Sequence, residues 1–367
     1  MKIAILGAGA IGLGMAALLS QKSIEVSIWA PSAIGAGPLL DGGPVVASGE
    51  ISGHFAVSTT TNIAAAVEGA RVVILAVPGT AHKAVIDRLV PHLTCGQLVA
   101  ISSHMSLSGL YLQRELSRLG VVAPVAAWAT TVVTGRRTQP GRVLVTSRRR
   151  RVSCAYLPAS VEVDARRLLA NLFGNVFHEA PDLMTVTLMN TNPTTHLAIA
   201  LCNVTRMEYG ERWGTYHGLS EAVGRLAEAL DRERIMLAQQ LGTSVHTIRE
   251  HLHSSFGLPL GAIGAMAAEQ HRRRNGEALG PTTLDHRYVT EDVPFGIVPL
   301  VTFGRVAGVP MPLHEAGLKL IDALYDRCFE KENDILADLR LEGLPADALT
   351  TLCRDGYPVA ALTTGCR

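Results

Sequence analysis

The sequence predicts an α/β domain with a mostly parallel, doubly wound sheet, followed by an all-helical C-terminal domain. Short Val/Ile/Leu runs alternate with helical stretches over the first half of the 367 residues, as in parallel sheets buried on both faces. A glycine-rich turn, Gly7-Ala8-Gly9-Ala10-Ile11-Gly12, joins the first of these runs to the first helical stretch. From about Asp182 onward, apolar residues recur at helical spacing instead. A chain of this length exceeds one ordinary core, so we expect domains at 1–182 and 183–367.

The elements follow in order. Strands are expected at Lys2–Leu6, Val26–Trp29, Val72–Val77, Leu98–Ile101 and Val121–Ala127. Helices are expected between them at Gly12–Gln21, Ile63–Glu68, Ala81–Leu93 and Ser106–Leu119. Two further β-rich runs, Arg142–Ser147 and Arg151–Leu157, either extend the sheet or pair as a hairpin at its edge. In the second half, Pro193–Glu208, Ser220–Leu241 and Leu313–Glu330 read as helices, with Asn192 and Ser220 as start signals. The proline-rich stretch Leu279–Pro299 reads as an ordered loop. Leu313–Glu330 carries an apolar stripe for a core face, with a homodimer interface as the alternative.

Composition narrows the function. Hydrophobic residues make up 48%, charged residues 18%, and the formal net charge is +1, which gives no global pull toward nucleic acid or a membrane. No apolar run reaches the length of a membrane span. Met1-Lys2 leads directly into an apolar strand without a leader, so a cytoplasmic location is expected. The six cysteines at 95, 154, 202, 328, 353 and 366 show no metal-ligand or disulfide spacing, and we expect free thiols and no metal. The basic runs Arg148–Arg151 and Arg272–Arg274 lack neighbouring aromatics and read as solvated edges.

Gly7 permits the tight turn, Gly9 lets the backbone approach a pyrophosphate, and Gly12 lets helix and strand pack closely. With Ala10 and Ile11 they place the phosphates on a helix N-terminus, where unpaired N–H groups favour anions. This is a Rossmann dinucleotide site. An acid is expected near position 30 to hold the ribose of NADH, yet Ala30 stands there. Ser32 can donate to a 2′-phosphate, although no Arg or Lys lies nearby in sequence. NADPH is therefore preferred over NADH. Val77 and Pro78 are expected along the cofactor's far edge.

In the second half, Pro193 places Asn192 and His196 one helical turn apart on one face, able to address one carbonyl. Spacing alone reads equally as a helix cap and an ordinary helical histidine. The segment 285–294, Asp285-His286-Arg287-Tyr288-Val289-Thr290-Glu291-Asp292-Val293-Pro294, concentrates ionisable groups that could orient an imidazole or clamp a carboxylate. A solvated charged loop is the alternative.

The glycine motif, Asn192-x-x-x-His196 and Arg287-Tyr288-x-x-Glu291-Asp292-Val293 occur here in the order found in opine dehydrogenases, and the whole chain resembles that family. Pro140-Gly141-x-Val143, Gly224-x-Leu226-x-Glu228, Asp231-x-Glu233-Arg234-Ile235 and Val298-Pro299-Leu300 extend the resemblance. It implies reductive condensation of an α-keto acid, commonly pyruvate, with an amino acid or amine. It makes His196 the general acid/base, Asp292 its dyad partner and Asn192 a holder of the carbonyl or imine. Arg287, with Tyr288, would bind a substrate carboxylate. Relatives often carry a Glu-Thr pair after the sixth strand, where alignment from Pro140-Gly141 places Ala127-Trp128. That departure argues against an arginine-like amine and favours an apolar or aromatic one. Many relatives also have Pro where Leu197 follows the histidine. The alternatives are a 2-dehydropantoate-reductase-like or glycerol-3-phosphate-dehydrogenase-like ketone reductase, which uses lysine as acid, and a non-catalytic NAD(P) sensor.

Overall fold

The computed structural model describes residues 1–275 and 278–358. The chain divides into two compact units, Met1–Thr187 with the segment from Thr350, and Leu188–Leu349.

Among the described residues, the first unit holds twelve strands: β1 (Lys2–Leu6), β2 (Glu25–Trp29), β3 (Val45–Gly49), β4 (Gly53–Phe55), β5 (Ser58–Thr60), β6 (Ala70–Leu75), β7 (Leu98–Ile101), β8 (Val125–Trp128), β9 (Val133–Gln139), β10 (Arg142–Arg148), β11 (Val152–Leu157) and β12 (Phe177–Glu179). The main sheet has the order β12-β11-β8-β7-β6-β1-β2-β5. All its neighbours pair parallel except β11, which runs antiparallel to β8. Ile3, Ile5, Val72 and Ile74 are fully buried, as a sheet covered on both faces requires. The helices are α1 (Ala10–Ser20), α2 (Ala33–Ala36), α3 (Ile63–Val67), α4 (His82–Leu89), α5 (Ser108–Arg118), α6 (Glu162–Phe173) and α7 (Leu183–Met189).

A second sheet, β4-β3-β10-β9, goes beyond what the sequence predicts. Of the two β-rich runs read as extension or hairpin, β11 extends the main sheet, whereas β10 pairs with β9 and β3. The small sheet packs on α1 at Gly14, where an added Cβ would lie 3.1 Å from the Val133 side chain. Trp128, Phe173 and Phe177 close one part of the core, with ring centroids 4.8 to 5.9 Å apart.

The second unit is helical: α8 (Asn192–Glu208), α9 (Glu221–Gln240), α10 (Ile248–Phe256), α11 (Ile263–Arg273), α12 (Arg287–Thr290), α13 (Val298–Ala307), α14 (Pro312–Tyr325) and α15 (Asp334–Leu339), while α16 (Ala346–Asp355) begins in it and runs past its end at Leu349. Ser220 caps α9 as expected, its Oγ accepting from the Val223 N–H. The expected loop at 279–299 is helical from Arg287, through α12, a π-turn at Val293–Ile297 and the start of α13. Pro294 and Pro299 fall at the second positions of these turns, where a missing N–H disrupts no helical bond. α14 ends at Tyr325 instead of Glu330, because Asp326 turns left-handed at φ 51°.

The observed division differs from 1–182 and 183–367 in two ways. It falls inside α7, and the chain from Thr350 groups with the first unit. Gln113 Nε2 and Ser117 Oγ donate to the carbonyls of Tyr357 and Pro358 there. Backbone acceptors leave no side-chain signature, so this return is invisible in the sequence. Cys154, Cys202, Cys328 and Cys353 are free thiols. Cys95 is disulfide-bonded, a correction to the expected six free thiols; no other cysteine lies near it in sequence to signal the bond. Cys366 lies outside the described residues. Among the described residues, no helix is long and apolar enough to cross a membrane, and no cluster of ligating side chains could hold a metal.

Candidate active site

In the first unit, β1 passes to α1 through Gly7, Ala8 and Gly9. Gly7 adopts φ +127°, and a Cβ there would fall 2.6 Å from the Ala76 carbonyl oxygen. A Cβ on Gly12 would collide with the Gly7 carbonyl, so glycine is required for the close approach of helix and strand. Gly9 is different. An added Cβ would meet nothing within 4 Å, so its backbone faces open space beside the first turn of α1. Gly9 caps that helix without a side chain, and the N–H groups of Ala10, Ile11 and Gly12 open the helix. These residues fit a dinucleotide pyrophosphate. Val77 and Pro78 follow β6 on the chain past Ala76, and the Val77 carbonyl meets His82 Nε2 at 3.3 Å.

At the end of β2, Ala30 is fully buried, so no side chain occupies the position of a ribose-binding acid. Ser32 Oγ accepts from the Gly35 N–H at 3.2 Å, which leaves its hydroxyl proton free to donate. Arg137, on β9, donates to the Gly35 carbonyl at 3.4 Å, which brings a cation to the turn that holds Ser32. Sequence proximity could not find it, because the two residues stand far apart along the chain.

In the second unit, α8 begins at Asn192, with Thr191 as its cap and Pro193 in the first turn. Asn192 is therefore the first helical residue and not the cap, and it is exposed. One turn on, His196 Nδ1 donates to Asp292 Oδ2 at 2.7 Å. Asp292 is 1% exposed and His196 14%. The bond assigns the proton to Nδ1 and leaves Nε2 outside the pair. The segment 285–294 supplies three more contacts. Tyr288 stacks flat on His196 at 3.5 Å between centroids and 12° between planes. Its hydroxyl lies 3.1 Å from Thr215 Oγ1, and burial raises its pKa. His286 meets Tyr288 edge-on at 4.7 Å; burial, then the neighbouring His196, lowers its pKa. Arg287 is exposed and pairs through Nε with Glu291 at 3.2 Å.

The helical unit thus brings His196, Asp292 and Tyr288 together, with Asn192 on the same helix as the histidine and Arg287 beside the tyrosine. Sequence reading missed Thr215, which no motif marks. It also treated His286 as one member of a charged run, whereas the ring borders the stack. The Glu-Thr expectation needs correction: Ala127 and Trp128 lie inside β8, fully buried. The residues that leave the strand are Ala129, Thr130 and Thr131, again without an acid.

Residues 179–325 match the family description NAD/NADP octopine/nopaline dehydrogenase, alpha-helical domain. Residues 3–156 match ketopantoate reductase PanE/ApbA. The chain is 30% identical to an opine dehydrogenase of Arthrobacter sp. (strain 1C), covering 94% of this chain and 96% of the relative. It is 27% identical to the protein ocs of Agrobacterium tumefaciens (strain Ach5) over 95% of this chain and 98% of that one. The fold is similar to that of octopine dehydrogenase solved with NADH and L-arginine, at TM-score 0.80 and 17% identity, covering 97% and 99% of the two chains. Sequence, helical domain and fold agree: the chain belongs to the opine dehydrogenase family of NAD(P)-dependent oxidoreductases acting on CH–NH bonds.

Proposed function

We propose that this opine dehydrogenase joins an α-keto acid such as pyruvate to a neutral, apolar or aromatic amine donor, with NADPH as the preferred reductant. The His196–Asp292 pair, clamped by Tyr288, is the observation that carries the reading. When bound, the cofactor supplies the hydride that reduces the imine.

The residues divide the remaining work. His196 Nε2, once protonated, gives its proton to the departing hydroxyl of the carbinolamine, so that water leaves and the imine forms. Asp292, buried and fixed on Nδ1–H, stabilises the imidazolium that carries this proton. Tyr288 restricts rotation of the ring. Asn192, exposed one turn before His196, holds the carbonyl or imine by its amide. Arg287 spends Nε on Glu291 and keeps its terminal N–H groups for a substrate carboxylate. Buried Ala30, the donor hydroxyl of Ser32 and the cation of Arg137 together support NADPH. The acid-free stretch Ala129–Thr131 supports a neutral amine over a guanidino one. Solved relatives do bind L-arginine and agmatine, so the donor class is where this chain departs from them.

One assay decides. Purified protein and NADPH are offered keto acids alone, then keto acids with a panel of apolar, aromatic and cationic amines. We expect oxidation only when keto acid and amine are both present. Oxidation by keto acid alone would establish a ketone reductase, the activity named by the match to residues 3–156. No oxidation across the panel would leave a cofactor sensor.

A further inference from the structure

Residues 133–151 hold seven arginines, at 136, 137, 142, 148, 149, 150 and 151, and no aspartate or glutamate. The last four read as a solvated edge in the sequence. In the first unit, however, Arg148, Arg149 and Arg150 line a cavity of about 550 Å³ with Glu50, Ser147 and Asn175. That is the size of sites for small molecules, which run roughly 300–1,000 Å³.

The arginines of the adjoining cavity, which shares Asn175, have found carboxylates: Arg166 pairs with Glu179, and Arg167 with Asp164. Among the described residues, Arg148, Arg149 and Arg150 have no such partner. Arg149 is the telling case. Its Nε is buried without a hydrogen-bond partner, and burial weighs against its charge with no carboxylate to offset it. An uncompensated, partly buried cation destabilises a fold. Three arginines lining one concavity with a single carboxylate leave an excess of positive charge there, and Arg149 is the one among them that burial partly desolvates.

We propose that this cavity is a binding site for a small polyanion carrying at least two phosphate or carboxylate groups. The planar guanidinium forks match both groups bidentately, and the ligand provides the counter-charge that the fold withholds. None of the residues assigned above to cofactor or substrate lines the cavity, so the site is separate from the dinucleotide cradle.

Calorimetric titration of the full chain tests this, with inorganic pyrophosphate in one arm and citrate in the other, each with and without NADP⁺. We expect saturable binding in at least one arm that persists when NADP⁺ is present; the stronger arm separates phosphate from carboxylate recognition. Arg149→Met and Arg150→Gln should each weaken it about tenfold or more, the scale of losing a charge-assisted bond. Arg136→Gln, on the same small sheet but outside the cavity, should leave it unchanged. The polyanion should raise the unfolding midpoint of the wild type and not of Arg149→Met. Without ligand, Arg149→Met should be at least as stable as wild type, because it removes an unpaired buried cation. Absence of binding in both arms, binding indifferent to both cavity variants, or binding that NADP⁺ abolishes would each overturn the proposal.

Discussion

Asp292 illustrates how much one atom can decide. Its Oδ2 fixes the proton of His196 on Nδ1, and in the proposed chemistry its negative charge is the partner of the imidazole. Asp292→Asn keeps the shape but removes the charge and lets the amide donate to Nδ1, favouring the wrong tautomer. We expect turnover to fall by about 100-fold or more, the lower range of acid–base assistance, with little change in folding. Steady-state rates with both substrates measure this, and a variant within a few-fold of wild type would remove Asp292 from the dyad. Arg137 is a second single-residue case. If its guanidinium, held at Gly35, neutralises the 2′-phosphate, Arg137→Ala should raise the KM for NADPH about tenfold and leave that for NADH unchanged. Equal effects on both cofactors would assign it a structural role at the α2 turn. Little of this was legible from spacing. Asn192 and His196 share a helix face, but Asp292 and Tyr288 reach the histidine, and Thr215 the tyrosine, from distant segments, and a tyrosine in a charged run carries no sign that it will stack. Family resemblance supplied the dyad; the stack and Arg137 came from the structure.

At the scale of elements, periodicity recovered what periodicity encodes. The continuous apolar runs became β1, β2, β6, β7 and β8, and the amphipathic stretches became α8, α9 and α14. What escaped were β3 and several short or polar strands. β5 is Ser58-Thr59-Thr60, β12 has three residues, and β9 carries two arginines and a glutamine. Each is a strand because a neighbour offers it a ladder, which is a tertiary cause. Helix crossings are equally silent. Gly224 of α9 and Gly264 of α11 face each other so closely that a Cβ on Gly224 would lie 2.6 Å from the Gly264 amide nitrogen, and one on Gly264 would lie 2.6 Å from Glu221 Cα. Alanine is the better helix former by roughly 1 kcal/mol, so intrinsic propensity predicts that Gly224→Ala stabilises. Backbone collision predicts the reverse, since α11 must move away and strain the contact by about 1–3 kcal/mol. We expect the collision to win and the helical unit to lose stability in chemical denaturation. A stabilised variant would show that the crossing relaxes freely.

For the molecule as a whole, a buried carboxylate and buried histidines meet acid differently. In the helical unit, Glu233 is buried, which by itself raises its pKa. Hydrogen bonds from the His314 ring and from the backbone N–H groups of Leu313 and His314 outweigh that and lower it. A carboxylate depressed in the folded state contributes stability above its unfolded value near 4.5, and that contribution is lost as pH falls through the folded value. The Rossmann unit adds two fully buried rings to His286, the lowered histidine of the helical unit. Burial lowers His82 to about 4, partly countered by the Val77 carbonyl, and lowers His104 to about 3, helped by repulsion from His82. Both rings are neutral in the folded state at neutral pH. Below the ordinary value of 6.5 the unfolded chain takes up protons that the folded one refuses, so stability declines as pH falls. Each group contributes a slope of up to about 1.4 kcal/mol per pH unit. Between about pH 6.5 and 5 few carboxylates titrate, and the decline belongs mainly to histidine. Hydrogen exchange of the central strands β1 and β6, corrected for intrinsic rates, should show protection falling across that window. His104→Gln should flatten the slope, since it removes the ring whose Nε2 is buried without a partner. An unchanged slope in that variant would mean that His104 charges in place, and that its surroundings open at mild acidity to let water reach it.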